Sequence, residues 1–415
     1  MCALCRQPYI IEEGESGLFA LWYTYKHMNR RIAHCAVLTF IPCVFILLTH
    51  GINMSVEAQR LQLRHLYETF QIDGVLVEKK TSRDDGLSID FETLALFISE
   101  DSPFAFYIKD VGLKRIMWYS PDMGENPFPR FETDFPNLVG INRLSVAFSQ
   151  NRMPDVAFYT GYNETHLLGN DRVCIVSREM ASSLQRGSDG MAWIGMNVKN
   201  PYNIGGAGFV KACFAVIGEY DGEGDTLYCP YAAATDLGHE IGSAYDYASR
   251  LTFIIRDNYQ LPQFKKVAAA IFSKMEYGSG HTLLIHDSNF YEAVSAVEKN
   301  IGLLQIFKPL LLCLCAVIGF MASLLSARGR KKEIVILRCL GIGKGSVFQI
   351  IMLEQLFLSI LGVVAGIVLY GFAQQTWRLY MVESILCLAC YWIGMTVAFT
   401  QVIKGDLLIM LKAGE

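Results

Sequence analysis

Charge is scarce in this sequence. Asp, Glu, Lys and Arg supply 18% of its 415 residues, hydrophobic residues supply 52%, and the mean hydropathy is +0.28. That is too apolar for an ordinary soluble domain. Active-site signatures are missing as well. His239-Glu240-Ile-Gly-Ser lacks the second histidine of a zinc-protease helix. Asp221-Gly-Glu223-Gly-Asp225 starts like a calcium loop, but its sixth position is Thr226 and its twelfth is Ala232, so it reads as a turn between strands. Gly341-Ile-Gly-Lys344-Gly-Ser has Arg338 where a phosphate loop needs its first glycine, and Gly345 follows the lysine. Tyr277-Gly-Ser-Gly does not make a nucleophile elbow. No catalytic residue, cofactor site or metal site is assigned, and no ATP site is expected on this chain. Disulfides are excluded as a framework: between residues 54 and 300 only Cys174, Cys213 and Cys229 occur, an odd number that allows one bridge at most.

What the sequence has instead is long apolar runs. A spanning helix needs roughly 20 mostly apolar residues. Four segments qualify, at about residues 32–52, 301–325, 347–372 and 384–403. The expected fold class is therefore an α-helical membrane protein with four transmembrane helices and a large α+β extracytoplasmic domain inserted between helices 1 and 2. The domain plan is residues 1–31 as a cytoplasmic segment, 32–52 as the first span, 53–300 as the extracytoplasmic domain with its flanking helices, and 301–415 for the remaining spans. Orientation follows from basic residues, which favour the cytoplasmic side. Lys26, Arg30 and Arg31 precede the first span, and Arg328, Arg330, Lys331, Lys332, Arg338 and Lys344 fill the connection between spans two and three. Only Arg378 lies between spans three and four, while Lys404 and Lys412 follow the last. Both termini are thus expected in the cytoplasm. Residues 54–300 hold 22 Lys and Arg against 32 Asp and Glu, a net charge of −10, and the remainder carries +6 of the formal total of −4.

Within the acidic segment, strands are expected at Gly74–Val77, Ala105–Ile108, Val156–Tyr159, Val173–Val176, Phe214–Ile217, Leu251–Ile255 and Thr282–Ile285, and helices at Ser177–Gln185 and Leu261–Met275. Asn126–Pro129 and the glycine-rich Ile204–Gly208 read as turns. Val56, Leu63, Leu66 and Phe70 share one helical face after span one, and Val294, Val297, Ile301 and Leu304 share another before span two, capped by Asp287 or Ser288. Both helices are expected to continue straight from their spans, either simply packed on the domain core or serving as stalks that carry movement to it.

The richest stretch is Arg328–Glu354, a short basic amphipathic helix between two spans. Ile334, Ile336, Leu337 and Leu340 form its apolar face and Lys331, Lys332, Glu333 and Arg338 its charged face. Gly341, Gly343 and Gly345 provide the turn, and Ser346 is expected to cap span three. From the residues alone, such a helix fits either acidic lipid headgroups or a partner protein. Glu354 is costly inside an apolar run unless it is paired with or faces protein, so contact with another helix is expected. Gly362 and Gly366 would permit close helix packing.

The pattern Arg330-Lys-Lys-Glu-Ile-Val-Ile-Leu-Arg-Cys-Leu-Gly341, followed by Glu354, resembles the FtsX-like permease domain of MacB-type and lipoprotein-release permeases, as does the layout of one span, an outer domain and three spans. The resemblance implies a coupling helix at about residues 328–345, with Lys331, Lys332, Glu333, Leu337, Arg338 and Gly341 contacting a cytoplasmic ATP-binding-cassette ATPase dimer, and Glu354 as an intramembrane polar residue. It implies a permease subunit, not an enzyme, in a bacterial plasma membrane. ATP hydrolysis by the partner would be relayed to the outer domain, which exports or extracts a peptide, lipid or lipoprotein. The alternative within the same resemblance is a signalling protein that controls a cell-wall hydrolase or sensor without transport. A single copy of the unit implies a second permease copy or a paralogous permease as a further partner, alongside the lipid bilayer. No nucleic acid is implied.

Overall fold

The computed structural model describes residues 32–404 except residues 123, 125–126, 129–134, 148–154, 187–190, 202–207, 223, 243–247, 275–279, 340–341 and 375–380. Two units emerge, one of residues 64–294 and one of residues 1–63 with 295–415.

The first unit is built on ten strands. They are β1 (Asp73–Glu78), β2 (Ile108–Ser120), β3 (Asn137–Ile141), β4 (Val156–Phe158), β5 (Val173–Ser177), β6 (Trp193–Lys199), β7 (Val210–Tyr220), β8 (Leu227–Pro230), β9 (Arg250–Ile255) and β10 (His281–Ile285). The path runs β10-β1-β9-β2-β3-β8-β5-β7-β4, and β6 bridges β2 and β7. Consequently β2, β3, β8, β5, β7 and β6 close into a ring, while β10, β1, β9 and the first half of β2 form an antiparallel sheet beside it. Length makes the sharing possible: at 13 residues β2 is long enough to pair with β9, β3 and β6.

Each part has its own core. The ring encloses Met117, Met196, Phe214, Cys174 and Cys229. The side sheet is covered by aromatic packing among Phe97, Phe104, Phe253, Phe264 and Phe272. Gly74 stands opposite Phe253 in the register, and a Cβ there would collide with the Phe253 ring. Glycine is what lets that ring lie flat across β1.

Most of the expected strands form, as do the helices at Arg178–Ser183 and Leu261–Lys274, the former capped by the Ser177 side chain. Ala105–Tyr107 is different: it is a turn, and the strand begins at Ile108. Ser102 Oγ accepts the N–H groups of Phe104 and Ala105, and Phe104 is fully buried among the aromatics, so the local cap and the core together outweigh β propensity. Residues 126, 129 and 204–207 of the two expected turns lie outside the described residues. The Asp221–Asp225 stretch connects β7 to β8, with Gly224 at φ +115°.

The second unit contains four helices long and apolar enough to cross a membrane. They belong to α1 (Ile32–Thr69), α7 (Ser288–Gly329), α9 (Lys344–Gln374) and α10 (Met381–Lys404). The intervening helices α2 (Phe91–Ile98), α3 (Leu144–Ala147), α4 (Arg178–Ser183), α5 (Tyr231–Glu240) and α6 (Leu261–Lys274) belong to the first unit, and α8 (Lys331–Cys339) lies between α7 and α9. Each of α1 and α7 is one unbroken helix, of 38 and 42 residues. Val56, Leu63 and Leu66 on α1, and Phe70 just beyond its end, are half-buried. On α7, Val294 and Val297 are buried, and Ile301 and Leu304 half-buried.

In the α+β unit the end of α1 and the start of α7 meet the same residues. Asn258 donates to the carbonyls of Tyr67 (3.0 Å) and Phe70 (2.6 Å), satisfying the end of α1. Tyr67 stacks on Tyr259 at 4.4 Å and meets Phe290 edge-on at 5.1 Å, and Phe290 is fully buried.

Candidate coupling site

Chain direction explains the segment after α7. Arg330 donates its N–H to Ala327 O and accepts from Ile334 N–H, so it is the hinge residue between α7 and α8. Ile342 N–H then returns to Leu337 O at 3.2 Å, ending α8, and α9 starts at Lys344 with Val347 N–H bound to Gly343 O. Ser346 is therefore inside the first turn of α9, and the capping position falls to Gly343, which needs no side chain to fit the entry.

The face of α8 that meets the unit is narrower than its sequence implies. Ile334 is buried with Ala327, Val347, Ile351, Met395 and Phe399, and Leu337 packs against that cluster. Ile336 is 58% exposed, so it does not belong to the packed face. At 100° per residue it lies two positions from Ile334, on the far side of the helix. Lys332 and Cys339 are exposed with it, while Glu333 and Arg338 are half-buried. Lys331 begins the helix, and Leu340 and Gly341 lie outside the described residues.

Behind α8 the polar groups of the spans converge. Arg330 makes a bidentate pair with Glu354 of α9: Nη1 lies 2.5 Å from Oε2 and Nη2 2.5 Å from Oε1, with side chains 4% and 1% exposed. A planar guanidinium matches a carboxylate in a way lysine would not. Next to it Gln355 Nε2 donates to Ser326 Oγ at 3.2 Å, and one turn deeper Trp392 Nε1 donates to Ser359 Oγ at 2.9 Å. The partner of Glu354 is thus Arg330, in the turn between α7 and α8 rather than inside another helix. The sequence did offer a signal: an acid in an apolar run needs a nearby cation. Four basic residues stood at the right distance along the chain, and only the turn at the end of α7 selects Arg330 over exposed Arg328.

Elsewhere the charged groups are structural. His239 and Glu240 end α5, and Glu240 pairs with Arg172 at 2.9 Å. A cleft of about 270 Å³ on the side sheet is lined by Asp73, Asp110, Arg143, Arg250, Thr252 and His286, and there Asp110 pairs with Arg143 and Asp73 with His286. Among the described residues no three His, Cys, Asp or Glu side chains gather as a metal site. No disulfide joins the described cysteines, and burial pushes the Cys174 and Cys229 thiols well above their ordinary range, which keeps them protonated.

Among the described residues four helices are long and apolar enough to cross a membrane, with a short basic amphipathic helix between the second and third, an arrangement that fits a multi-pass membrane protein. Residues 306–406, about a quarter of the chain, match the family described as FtsX-like permease C-terminal. No curated protein matches the chain at a significant level. Among solved structures the chain is similar to the periplasmic region of MacB from Actinobacillus actinomycetemcomitans, at 14% identity and TM-score 0.29, over 57% of this chain and 95% of that one. So loose a likeness carries no residue correspondence.

Proposed function

We propose that this chain is the permease subunit of a mechanotransmitting ABC system. A cytoplasmic ATPase docks on α8, and its ATP-driven movement is relayed by α1 and α7 to an extracytoplasmic domain that extracts or exports an amphiphile. In this reading residues 1–31 are cytoplasmic, residues 32–52 span the membrane, residues 53–300 lie outside, and residues 301–415 form the permease domain with both termini inside. A second permease copy completes the membrane portion.

The observation that carries this reading is the two-sided character of α8. Its inner side is packed through Ile334 and Leu337 and locked behind through Arg330 and Glu354. Its outer side shows Lys332, Ile336 and Cys339. A lipid anchor would turn its apolar residues toward the membrane with lysines snorkelling around them. A docking helix needs a rigid back and a mixed polar and apolar front, since interface cores favour isolated apolar anchors within a polar rim.

Co-purification tests it. Ile336→Asp and Lys332→Glu should each release the ATPase while the chain still inserts and stays folded, and Leu337→Asp should disturb the packed side as well. If both surface variants keep the ATPase and lose only affinity for anionic liposomes, α8 is a lipid anchor and the proposal fails. Transport of an amphiphile is read separately, by its loss from inside-out vesicles lacking ATP.

A further inference from the structure

The four spans pack as two parallel pairs with contacts of different kinds within and between them. In α1 and α9 the contacts advance together along both helices. A Cβ on Gly362 would collide with Thr39 O, one on Gly366 would lie 3.0 Å from Cys43 O and from Ile46 Cβ, and His50 meets Tyr370 at 5.0 Å. In α7 and α10 the same happens. Lys308 pairs with Glu383 at 3.1 Å, Cys315 Sγ lies 3.6 Å from Cys387 Sγ, a Cβ on Gly319 would come 2.7 Å from Tyr391 O, and one on Gly394 would collide with Ala316 O. Of the span glycines whose surroundings are described, Gly319, Gly362, Gly366 and Gly394 touch a neighbouring helix, and all four lie within these pairs. Such contact brings backbone against backbone and leaves no side-chain layer to slide on.

Between the pairs the contacts are side chain on side chain. Phe45, Ile46 and Val363 of one pair meet Cys315, Cys387 and Tyr391 of the other, and Thr49 lies one turn beyond Phe45 on the same face of α1. At the α8 end this seam is pinned by Arg330–Glu354, Ser326–Gln355 and, one turn deeper, Trp392–Ser359. We propose that α1·α9 and α7·α10 are two rigid bodies that pivot against each other about the polar pin beside α8, so that their far ends separate or close. Because α1 and α7 belong to different bodies, the pivot spreads or gathers the two stalk helices. This device deepens the relay proposed above and rests on it for its driving force.

The chain supplies its own probe. Cys315 and Cys387 report within one body, and Thr49→Cys with Cys387, in a Cys315→Ser background, reports across the seam at the same depth. With the remaining cysteines replaced by serine, copper-phenanthroline cross-linking rates are measured on the full chain in bilayers of about 14-carbon and about 22-carbon acyl chains, whose mismatch tilts spanning helices, and again with the ATPase, with and without ATP. The within-body rate should change by less than about twofold throughout, and the cross-seam rate by about fivefold or more, as expected when packed bodies move against each other without deforming. Equal responses of both pairs, or none across the seam in either arm, would overturn the proposal. A seam that answers to bilayer thickness but not to ATP would keep the two bodies and sink the ATP-driven relay instead.

Discussion

Arg330 and Glu354 form a buried pair whose loss should be felt in a specific pattern. Both side chains are almost fully buried, and both guanidinium contacts to the carboxylate are at 2.5 Å. Glu354→Gln leaves a buried guanidinium facing a neutral amide, and Arg330→Met leaves a buried carboxylate with no cation. Breaking such a pair from one side costs about 3–5 kcal/mol, whereas replacing both members by packed apolar residues is close to neutral. The double variant Arg330→Met with Glu354→Met should therefore be more stable than either single variant. SDS-induced unfolding of the full chain in mild detergent, followed by tryptophan fluorescence, gives the four free energies of a double-mutant cycle. The structural role also separates from the coupling role. If the pair pins α8 to α9, the double variant should fold yet stimulate its ATPase poorly, because methionines do not fix the hinge. Single-variant losses below about 1 kcal/mol, the range of solvent-exposed pairs, would refute the burial of this pair. A double variant as unstable as the worse single one would refute the pairing itself.

Phe290→Ala should destabilise the α+β unit by about 3–5 kcal/mol, as for other buried aromatics, and limited proteolysis should then cut near both Phe70 and Phe290. Asn258→Ala leaves the Tyr67 and Phe70 carbonyls without their donor and should cost about 1–3 kcal/mol, seen as faster amide exchange in the last turn of α1. His281 sits buried in β10, and burial pushes its imidazole below the ordinary 6.5. A base with a depressed folded pKa stabilises the fold fully above its unfolded pKa, and that contribution falls as pH drops below it. The thermal stability of the wild type should thus fall from about pH 7.5 to pH 5, where histidine titrates, and His281→Gln should flatten that dependence.

Much of this arrangement could be read from sequence because it follows from runs and periods. The spans depend on apolar length, the α8 segment on charge beside a span, and the stalk faces on Val56, Leu63, Leu66 and Phe70 recurring at helical steps. What stayed hidden depends on partners distant in the chain. β3 and β8 are short, at five and four residues, and β6 carries Gly195 and Asn197 inside it, so their strand character depends on pairing within the ring with β2, β5 and β7. Ala105–Tyr107 leave the strand pattern because the preceding Phe104 ring is held in a core assembled from α2, α6 and β9. Ile336 looked like part of an apolar face because hydropathy does not know which side of a short helix meets a neighbour. Arg330 could be seen as basic, and its selection by Glu354 required the angle at which α7 turns into α8.

The proposed function requires α8 on the cytoplasmic side of the membrane and the α+β unit on the opposite side, and two native thiols can decide it. Cys213 on β7 and Cys339 at the end of α8 are both exposed. In a variant keeping only these two, an impermeant maleimide applied to sealed cells should label Cys213 and spare Cys339, and permeabilisation should then expose Cys339 unless the ATPase is bound over it. Labelling of Cys339 in sealed cells, or of neither thiol until permeabilisation, would contradict the account.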